Sequence, residues 1–260
     1  MNFWFLVLLA SPILFGLPTS SAATTAKQNT ECPPNFHWVR AHHRKSYIRG
    51  DGTLVAASDV IAHCQSDPPS YSKWKDRFKN IGGSNTFEKT GKYKEWTTEE
   101  KERFLEALAD LPPLLLLDSV HSIYRAEKSL EFDKNPASGK TGNLVLYDDA
   151  FSKKQRLSRV LAHELAHELF RQIPAEKRKS YGDATRWKRI FIEKTREYKL
   201  IPLRFEYVEE DGLESITEDF SNNLEYYLFD PKKLKSVTPE AYEWFRSEFG
   251  DSLKLGPGIK

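Results

Sequence analysis

The sequence has few cysteines and almost no net charge. Two cysteines among 260 residues are too few for a disulfide-dense miniprotein or a four-cysteine zinc module. With 39 basic and 37 acidic residues the net charge is only +2, which argues against a dedicated nucleic-acid-binding protein. A mean hydropathy of −0.59 argues against several membrane spans. The remaining class is a globular protein, because 39% hydrophobic residues can build a sizeable core.

A long apolar run lies near the N-terminus, between Phe3 and Leu17. It is short for a transmembrane helix and leads into small residues, Ala22 and Ala23, where a signal peptidase would cut. We predict a signal peptide over residues 1–23, although no Lys or Arg precedes the run. A buried core segment and an uncleaved anchor are the alternatives. The mature protein is then expected to be secreted or periplasmic, with no stable membrane span.

Export would place Cys32 and Cys64 in an oxidising compartment, where an even pair usually forms a disulfide. Extended-type runs around the Gly50-Asp51-Gly52 turn predict a small β-rich module over residues 24–80, closed by this disulfide. A zinc site of the two thiols and nearby histidines is the alternative, but the spacings match no common pattern. A basic cluster at residues 40–45 is a candidate contact for an anionic cell-envelope polymer; a solvated face is the other interpretation.

The pattern changes after a polar, Gly-containing connector, which we place at residues 81–96. Thr97 and Glu100 resemble a capping box that opens a helix. We assign residues 97–252 to one larger domain and residues 253–260 to a tail. Within it, residues 143–148 read as a short strand.

The motif that indicates chemistry is the pentapeptide His163-Glu164-Leu165-Ala166-His167, an HExxH pattern. It lies within residues 155–172, which contain no Pro or Gly and therefore favour a helix. At about 100° per residue, the two histidines fall one turn apart on the same face of a helix, and Glu164 lies about 60° from His167. All three side chains are therefore expected to point into one cavity.

Apolar residues cover nearly every other direction of this helix, which predicts that it is buried. A buried carboxylate between two imidazoles is costly unless it is paired or bound to a metal. We therefore predict that His163 and His167 bind Zn²⁺ and that Glu164 faces a metal-bound water. The alternative is a solvated helix with two incidental histidines.

Two histidines do not complete a catalytic zinc site, which usually has three protein ligands. No histidine follows His167 in the sequence, so the third ligand is expected to be a carboxylate farther along. Residues 213–224 have helical character, and one face of that helix presents Glu214, Glu218, Asn222 and Glu225. An ordinary amphipathic helix with its acidic face in water is the alternative.

Together, the segments HELAHELF and TEDFSNNLEYYLFDPKKL resemble the gluzincin metallopeptidases, most of all the lethal-factor-like group. The resemblance covers about residues 97–250 and implies an α+β fold, with a mainly helical zincin-like domain and a small sheet. It implies Glu218 as the third zinc ligand and Asn222 as the residue that supports a zinc-bound histidine, although the family tends to have a carboxylate there. An alternative register takes Glu214 as the ligand, with Glu218 behind it.

The resemblance also implies a zinc peptidase that acts on peptide or protein substrates, with Glu164 as general base, and the predicted signal peptide would make it an exported one. Tyr181, Tyr207 and Tyr226 are candidates for stabilising the oxyanion by their chemistry only. The strand at residues 143–148 is expected to be the edge that aligns an extended peptide. A cell-wall (peptidoglycan) amidase or endopeptidase and a catalytically silent, zinc-stabilised binding protein are the alternative functions.

Overall fold

A computed structural model describes residues 36–39, 41–44, 46–48, 54–66, 73–80, 90–132, 134–152 and 156–255. All of these belong to one compact unit, Cys32–Lys260. The predicted signal peptide and Cys32 lie outside the described residues, so the leader and the disulfide with Cys64 stay predictions. Among the described residues, no helix is both long enough and apolar enough to cross a membrane.

The first six strands pair as nested antiparallel ribbons, as expected for a long hairpin. Strand β1 pairs with β6, β2 with β5 and β3 with β4. The strands are β1 (Phe36–Val39), β2 (His42–Arg44), β3 (Tyr47–Ile48), β4 (Leu54–Val55), β5 (Ser58–Val60) and β6 (His63–Ser66). The β-rich character predicted for this segment is therefore present.

A mixed four-stranded sheet follows, with the order β7-β8-β10-β9. Its strands are β7 (Tyr93–Lys94), β8 (Ser122–Ala126), β9 (Ala137–Lys140) and β10 (Asn143–Leu146). β8 and β10 are parallel, whereas β9 runs antiparallel to β10. The strand predicted at residues 143–148 is therefore β10, but it is an inner strand rather than the expected edge. β9 occupies the edge, because the chain turns back at Thr141 and Gly142, both of which have positive φ.

The remaining elements are mainly helical, so the α+β class is confirmed. The helices are α1 (Thr98–Ala109), α2 (Leu157–Gln172), α3 (Ala175–Ala184), α4 (Ile216–Phe229), α5 (Pro231–Val237) and α6 (Pro239–Glu248). The predicted capping box is present, since Thr97 Oγ1 accepts from the Glu100 amide and Glu100 in turn accepts from the Thr97 amide. A two-stranded ribbon, β11 (Trp187–Ile192) and β12 (Glu197–Pro202), separates α3 from α4.

The core is built around α2 and α4, which pack against each other with the rings of Phe170 and Phe220 4.8 Å apart. Phe220 is fully buried, which stabilises the fold by about 1.5–3 kcal/mol. The core also takes in residues from segments that the sequence assigned elsewhere. Trp74 and Trp96 are both buried against Phe104 of α1, and β7 extends the sheet from within the predicted connector. Part of the predicted connector thus belongs to the packing of the larger unit.

Candidate metal centre

Helix α2 presents the two histidines of the HExxH motif from a buried position. The helix ends at Gln172 because the next residues are Ile173 and Pro174, and a proline excludes helical backbone in the residue before it. Its apolar residues are buried all round, as the sequence predicted. On the face that remains, the Nε2 atoms of His163 and His167 lie 3.1 Å apart.

Helix α4 brings Glu218 to the same point. The helix starts at a cap, where the Ser215 hydroxyl accepts from the Glu218 amide at 3.1 Å, and this fixes Glu218 in the first turn. Glu218 Oε2 lies 3.3 Å from the Nε2 atom of His163 and 3.3 Å from that of His167. Of the carboxylates that the sequence left open, Glu218 is therefore the one that joins the two imidazoles.

The three donor atoms have the spacing that a tetrahedral ion requires. Ligands about 2.0–2.1 Å from a tetrahedral Zn²⁺ lie about 3.3–3.4 Å from one another. The pairs formed by His163, His167 and Glu218 are separated by 3.1–3.3 Å. Two imidazole nitrogens and a carboxylate oxygen are also donors that zinc accepts. The residues present therefore fit a zinc ion, and no other described group of three such side chains is this close.

The electrostatics of the cluster show how strongly its members interact. Burial lowers the pKa of His163, but the hydrogen bond to Glu218 and the charges of Glu164, Glu218 and Glu225 raise it to about 9. Burial raises the pKa of Glu218, yet its bonds to both imidazoles hold it well below its usual range. Glu218 therefore stays ionised beside the imidazoles, whereas His163 must lose its proton before its Nε2 atom can bind a cation.

Glu164 faces the same cleft from the adjacent position of α2. Burial raises the pKa of its carboxyl group, partly offset by the two neighbouring histidines. Its Oε2 atom lies against the edge strand β9 at Gly139, where a Cβ atom would be only 2.9 Å away. Gly139 therefore leaves room for the Glu164 carboxylate between helix and strand.

Two cavities meet at His163 and Glu164, with volumes of about 670 and 550 Å³. The first extends towards Arg159, Tyr226 and Phe229. The second runs along β9. The cluster therefore borders two adjoining cavities that share His163 and Glu164 in their linings.

Glu225 is a site residue to which the sequence analysis gave no role. Its Oε2 atom lies 3.7 Å from Nδ1 of His163, on the side away from Glu218. Its other oxygen accepts from Arg159 Nε at 2.7 Å, so the carboxylate is held in place. The signal was available, because Glu225 follows Glu218 by two helical turns and shares its face.

The predicted supporting residues contact other partners. The Asn222 side-chain nitrogen donates to Asp211, and Glu225 occupies the position beside the imidazole that was expected for Asn222. Glu214 is exposed, lines the second cavity and lies before the first turn of α4. Glu225 rather than Asn222 therefore lies beside Nδ1 of His163, and Glu218 rather than Glu214 lies against both imidazoles.

The three candidate tyrosines lie in different surroundings. Tyr181 is buried away from the cleft, where its hydroxyl donates to Asp219 at 3.1 Å. The Tyr207 hydroxyl donates to the carbonyl of Arg204. Tyr226 lines the first cavity, although its hydroxyl donates to Glu209. Of the three, Tyr226 therefore keeps a position from which it can reach a bound substrate.

Histidines of the N-terminal ribbon make other contacts. His43 Nδ1 lies 2.8 Å from Asp59, and His63 Nδ1 lies 2.8 Å from the carbonyl of Ile61. The alternative zinc site with the thiols includes Cys32, which lies outside the described residues, so it stays a prediction.

Known proteins give no independent indication of family. No family model, no curated protein and no solved structure matches the chain. The likeness to gluzincins therefore depends on the two sequence segments and on the geometry above.

Proposed function

We propose that the protein is an exported zinc-dependent peptidase of gluzincin type, similar to the lethal-factor-like group. One observation carries the proposal: donor atoms from α2 and α4 converge to 3.1–3.3 Å in a cleft that also contains the buried carboxylate of Glu164. Residues so far apart in sequence converge on one point only because the fold brings them there. A cluster of ionisable groups in a cleft is typical of an active site.

In this proposal His163, His167 and Glu218 hold the ion. When bound, zinc supplies a Lewis acid and a water of lowered pKa. Glu164 would accept a proton at its carboxylate and return it to the leaving amine. Tyr226 lines the first cavity and is the remaining candidate, among the three tyrosines, for a second donor to the developing oxyanion.

The edge strand β9 favours an extended peptide as the substrate. Its residues 137–139 line the second cavity, and its side away from β10 pairs with no other strand among the described residues. An extended chain can pair with such an edge through main-chain hydrogen bonds. Because Gly139 adjoins Glu164, a peptide paired with β9 would pass beside the general base.

The N-terminal part of the proposal concerns export. A Cys32–Cys64 disulfide follows from an oxidising destination, and neither cysteine should react with an alkylating reagent in the unreduced, denatured protein. We also propose that the basic cluster at residues 40–45 binds an anionic cell-envelope polymer. Binding of such a polymer to the purified protein measures this.

The test compares Glu164→Gln with Glu214→Gln, two variants that remove one negative charge from the same cleft. Purified protein never exposed to chelator should contain about one zinc per chain in both variants. Only Glu164→Gln should lose hydrolysis of a broad peptide library, because the amide cannot accept a proton. Retained turnover in that variant would remove Glu164 from the mechanism.

The same measurements distinguish the alternative functions. Cleavage of peptidoglycan fragments without cleavage of the peptide library would favour the cell-wall amidase or endopeptidase. Stoichiometric zinc with no hydrolysis of either substrate would favour the silent binding protein. Wild-type protein that neither contains nor acquires metal would contradict all three.

A further inference from the structure

The ribbon β11–β12 forms a separate two-stranded sheet on the surface. It is antiparallel, is joined through residues 193–196, and pairs with no third strand among the described residues. Trp187 is the only residue of the ribbon that is buried, and it anchors the base of β11. The rest of the ribbon therefore projects beyond the core.

One face of this ribbon is apolar and exposed. Residues directly opposite each other in an antiparallel pair share a face. Phe191 is opposite Tyr198, with ring centroids 5.1 Å apart, and Leu200 follows on the same face. The three side chains are 50%, 60% and 46% exposed, and they lie next to one another on the ribbon. Such a cluster at a projecting tip indicates a contact surface.

The charge of the ribbon is strongly positive. It carries Lys188, Arg189, Lys194, Arg196 and Lys199 against Glu193 and Glu197, so five positive charges less two negative charges give +3. The whole chain has a net charge of only +2. No salt bridge of the described residues includes any of these cations, all of which are exposed. The positive charge is therefore available to an outside partner.

Aromatic rings flanked by cations suit the boundary layer of a membrane. Amphipathic side chains place their rings at the headgroup level, and Lys and Arg extend their charged ends to lipid phosphates. Arg189 shows the arrangement, since its guanidinium lies 4.2 Å over the Tyr198 ring. Three exposed apolar side chains form a smaller surface than the roughly 800 Å² that each partner buries in a stable protein interface.

We propose that the tip of the β11–β12 ribbon binds the surface of anionic lipid membranes. Phe191 and Tyr198 enter the headgroup layer, and the flanking cations contact lipid phosphates. The binding is peripheral and does not depend on the metal site.

The test is sedimentation of the full chain with vesicles. We expect it to sediment with phosphatidylglycerol–phosphatidylcholine vesicles at low salt, not with pure phosphatidylcholine, and to be released as salt rises. Lys194→Gln with Arg196→Gln changes only the turn and should weaken binding about fivefold for each cation removed. Phe191→Ser with Tyr198→Ser should weaken it further, with circular dichroism to check that the fold is kept.

The matched control is Lys232→Gln with Lys235→Gln, which removes the same charge from exposed positions of α5. It should bind the anionic vesicles like the wild type. Equal loss in the control would overturn the proposal, as would equal binding to both kinds of vesicle or no binding to either. Binding that heparin abolishes and that survives the aromatic substitutions would also overturn it, in favour of a soluble anionic polymer.

Discussion

The two helices that carry the proposed ligands are held in place by different forces. In α2 the buried residues are mostly apolar and include Leu161, Leu165 and Leu169. In α4 half of the buried residues are polar, namely Asp219, Ser221, Asn222 and Asn223. Hydrophobic packing positions the first helix, whereas the second also depends on hydrogen bonds inside the core.

The polar network of α4 is centred on Asp219, the residue after the proposed ligand. Its carboxylate pairs with Arg204 and accepts from Trp187 Nε1 at 2.9 Å and Asn223 Nδ2 at 2.8 Å. Burial raises the pKa of Asp219, partly offset by the Arg204 charge. Because Glu218 and Asp219 are adjacent, the network that anchors one carboxylate also orients the other towards the histidines. The position of Glu218, the proposed ligand on α4, therefore depends on contacts far from the cleft.

The largest effect should come from removing the α4 ligand. We expect Glu218→Ala to lose stoichiometric zinc and peptide hydrolysis together, because two imidazoles alone leave the ion without its third protein ligand. Metal analysis and library digestion of one preparation measure both.

Glu214→Ala is the matched control, since Glu214 is an exposed carboxylate of the same segment. It should keep its zinc. If Glu214→Ala loses metal and Glu218→Ala does not, the register with Glu214 as ligand is right.

Asp219→Asn tests whether α4 depends on its buried polar network, in contrast to the apolar packing of α2. It leaves the buried Arg204 without a counter-charge, and breaking such a pair typically costs about 3–5 kcal/mol. Leu165→Ala, a fully buried apolar change in α2, should cost about 2–5 kcal/mol through its cavity. Denaturant unfolding at pH 7 measures both free energies.

Zinc affinity separates the two variants further. Of the two, Asp219→Asn should weaken zinc binding more, because it releases the turn that carries Glu218. If Asp219→Asn lowers the free energy of unfolding by less than about 1 kcal/mol, the network does not hold α4.

The contrast also explains what the sequence could predict. The burial of α2 and the common face of His163 and His167 follow from local periodicity, so the sequence of this one segment was enough to predict both. The choice of Glu218 needed the resemblance, because several carboxylates share one face and only the cap at Ser215 decides where the helix begins. Asn222 does follow Glu218 by one helical turn, as the resemblance implied, but its amide contacts Asp211 and Glu225 lies beside His163 instead.

Contacts between residues far apart in the sequence could not be predicted from local sequence patterns. Nothing near residues 143–148 indicates that β9 adds to the sheet outside β10, since strand order is set by contacts across the whole domain. The partners of Asp219 likewise come from positions 181, 187, 204 and 223, which no short motif connects.

Glu225 links the two helices, and its removal should have an intermediate effect. Glu225→Gln removes the negative charge beside Nδ1 of His163 and weakens the contact with Arg159. Substitution of a residue that orients a metal-bound histidine typically weakens metal affinity about 10–100-fold. Zinc titration against a competing chelator measures this.

Asn222→Ala is the control for the same helix, because its amide contacts Asp211 rather than an imidazole. Its zinc affinity should stay within about threefold of the wild type, a shift of about 0.6 kcal/mol. A larger loss in Asn222→Ala than in Glu225→Gln would restore Asn222 to the supporting role.

The smallest expected effect is on the free energy of unfolding, and it comes from Asp110, a carboxylate that lies near the start of α2. Asp110 caps the end of α1 beside Arg156 and Ser158, and burial raises its pKa from 3.8 to about 6 despite those two neighbours. A raised carboxyl pKa means that the folded state binds the proton more tightly than the unfolded chain does. Ionisation of Asp110 therefore destabilises the fold fully above pH 6, and this cost fades as the pH falls towards 4.

Asp110→Asn should remove that cost. Because Asp110 is only partly buried, solvent screening reduces the expected gain to about 1 kcal/mol at pH 7.5. The variant and the wild type should have equal stability below about pH 4, where both side chains are neutral. Urea unfolding at the two pH values measures the difference. An equal gain at both values would mean that the amide improves packing; a loss at pH 7.5 would mean that Arg156 needs the carboxylate, so that the start of α2, like α4, is held by charge.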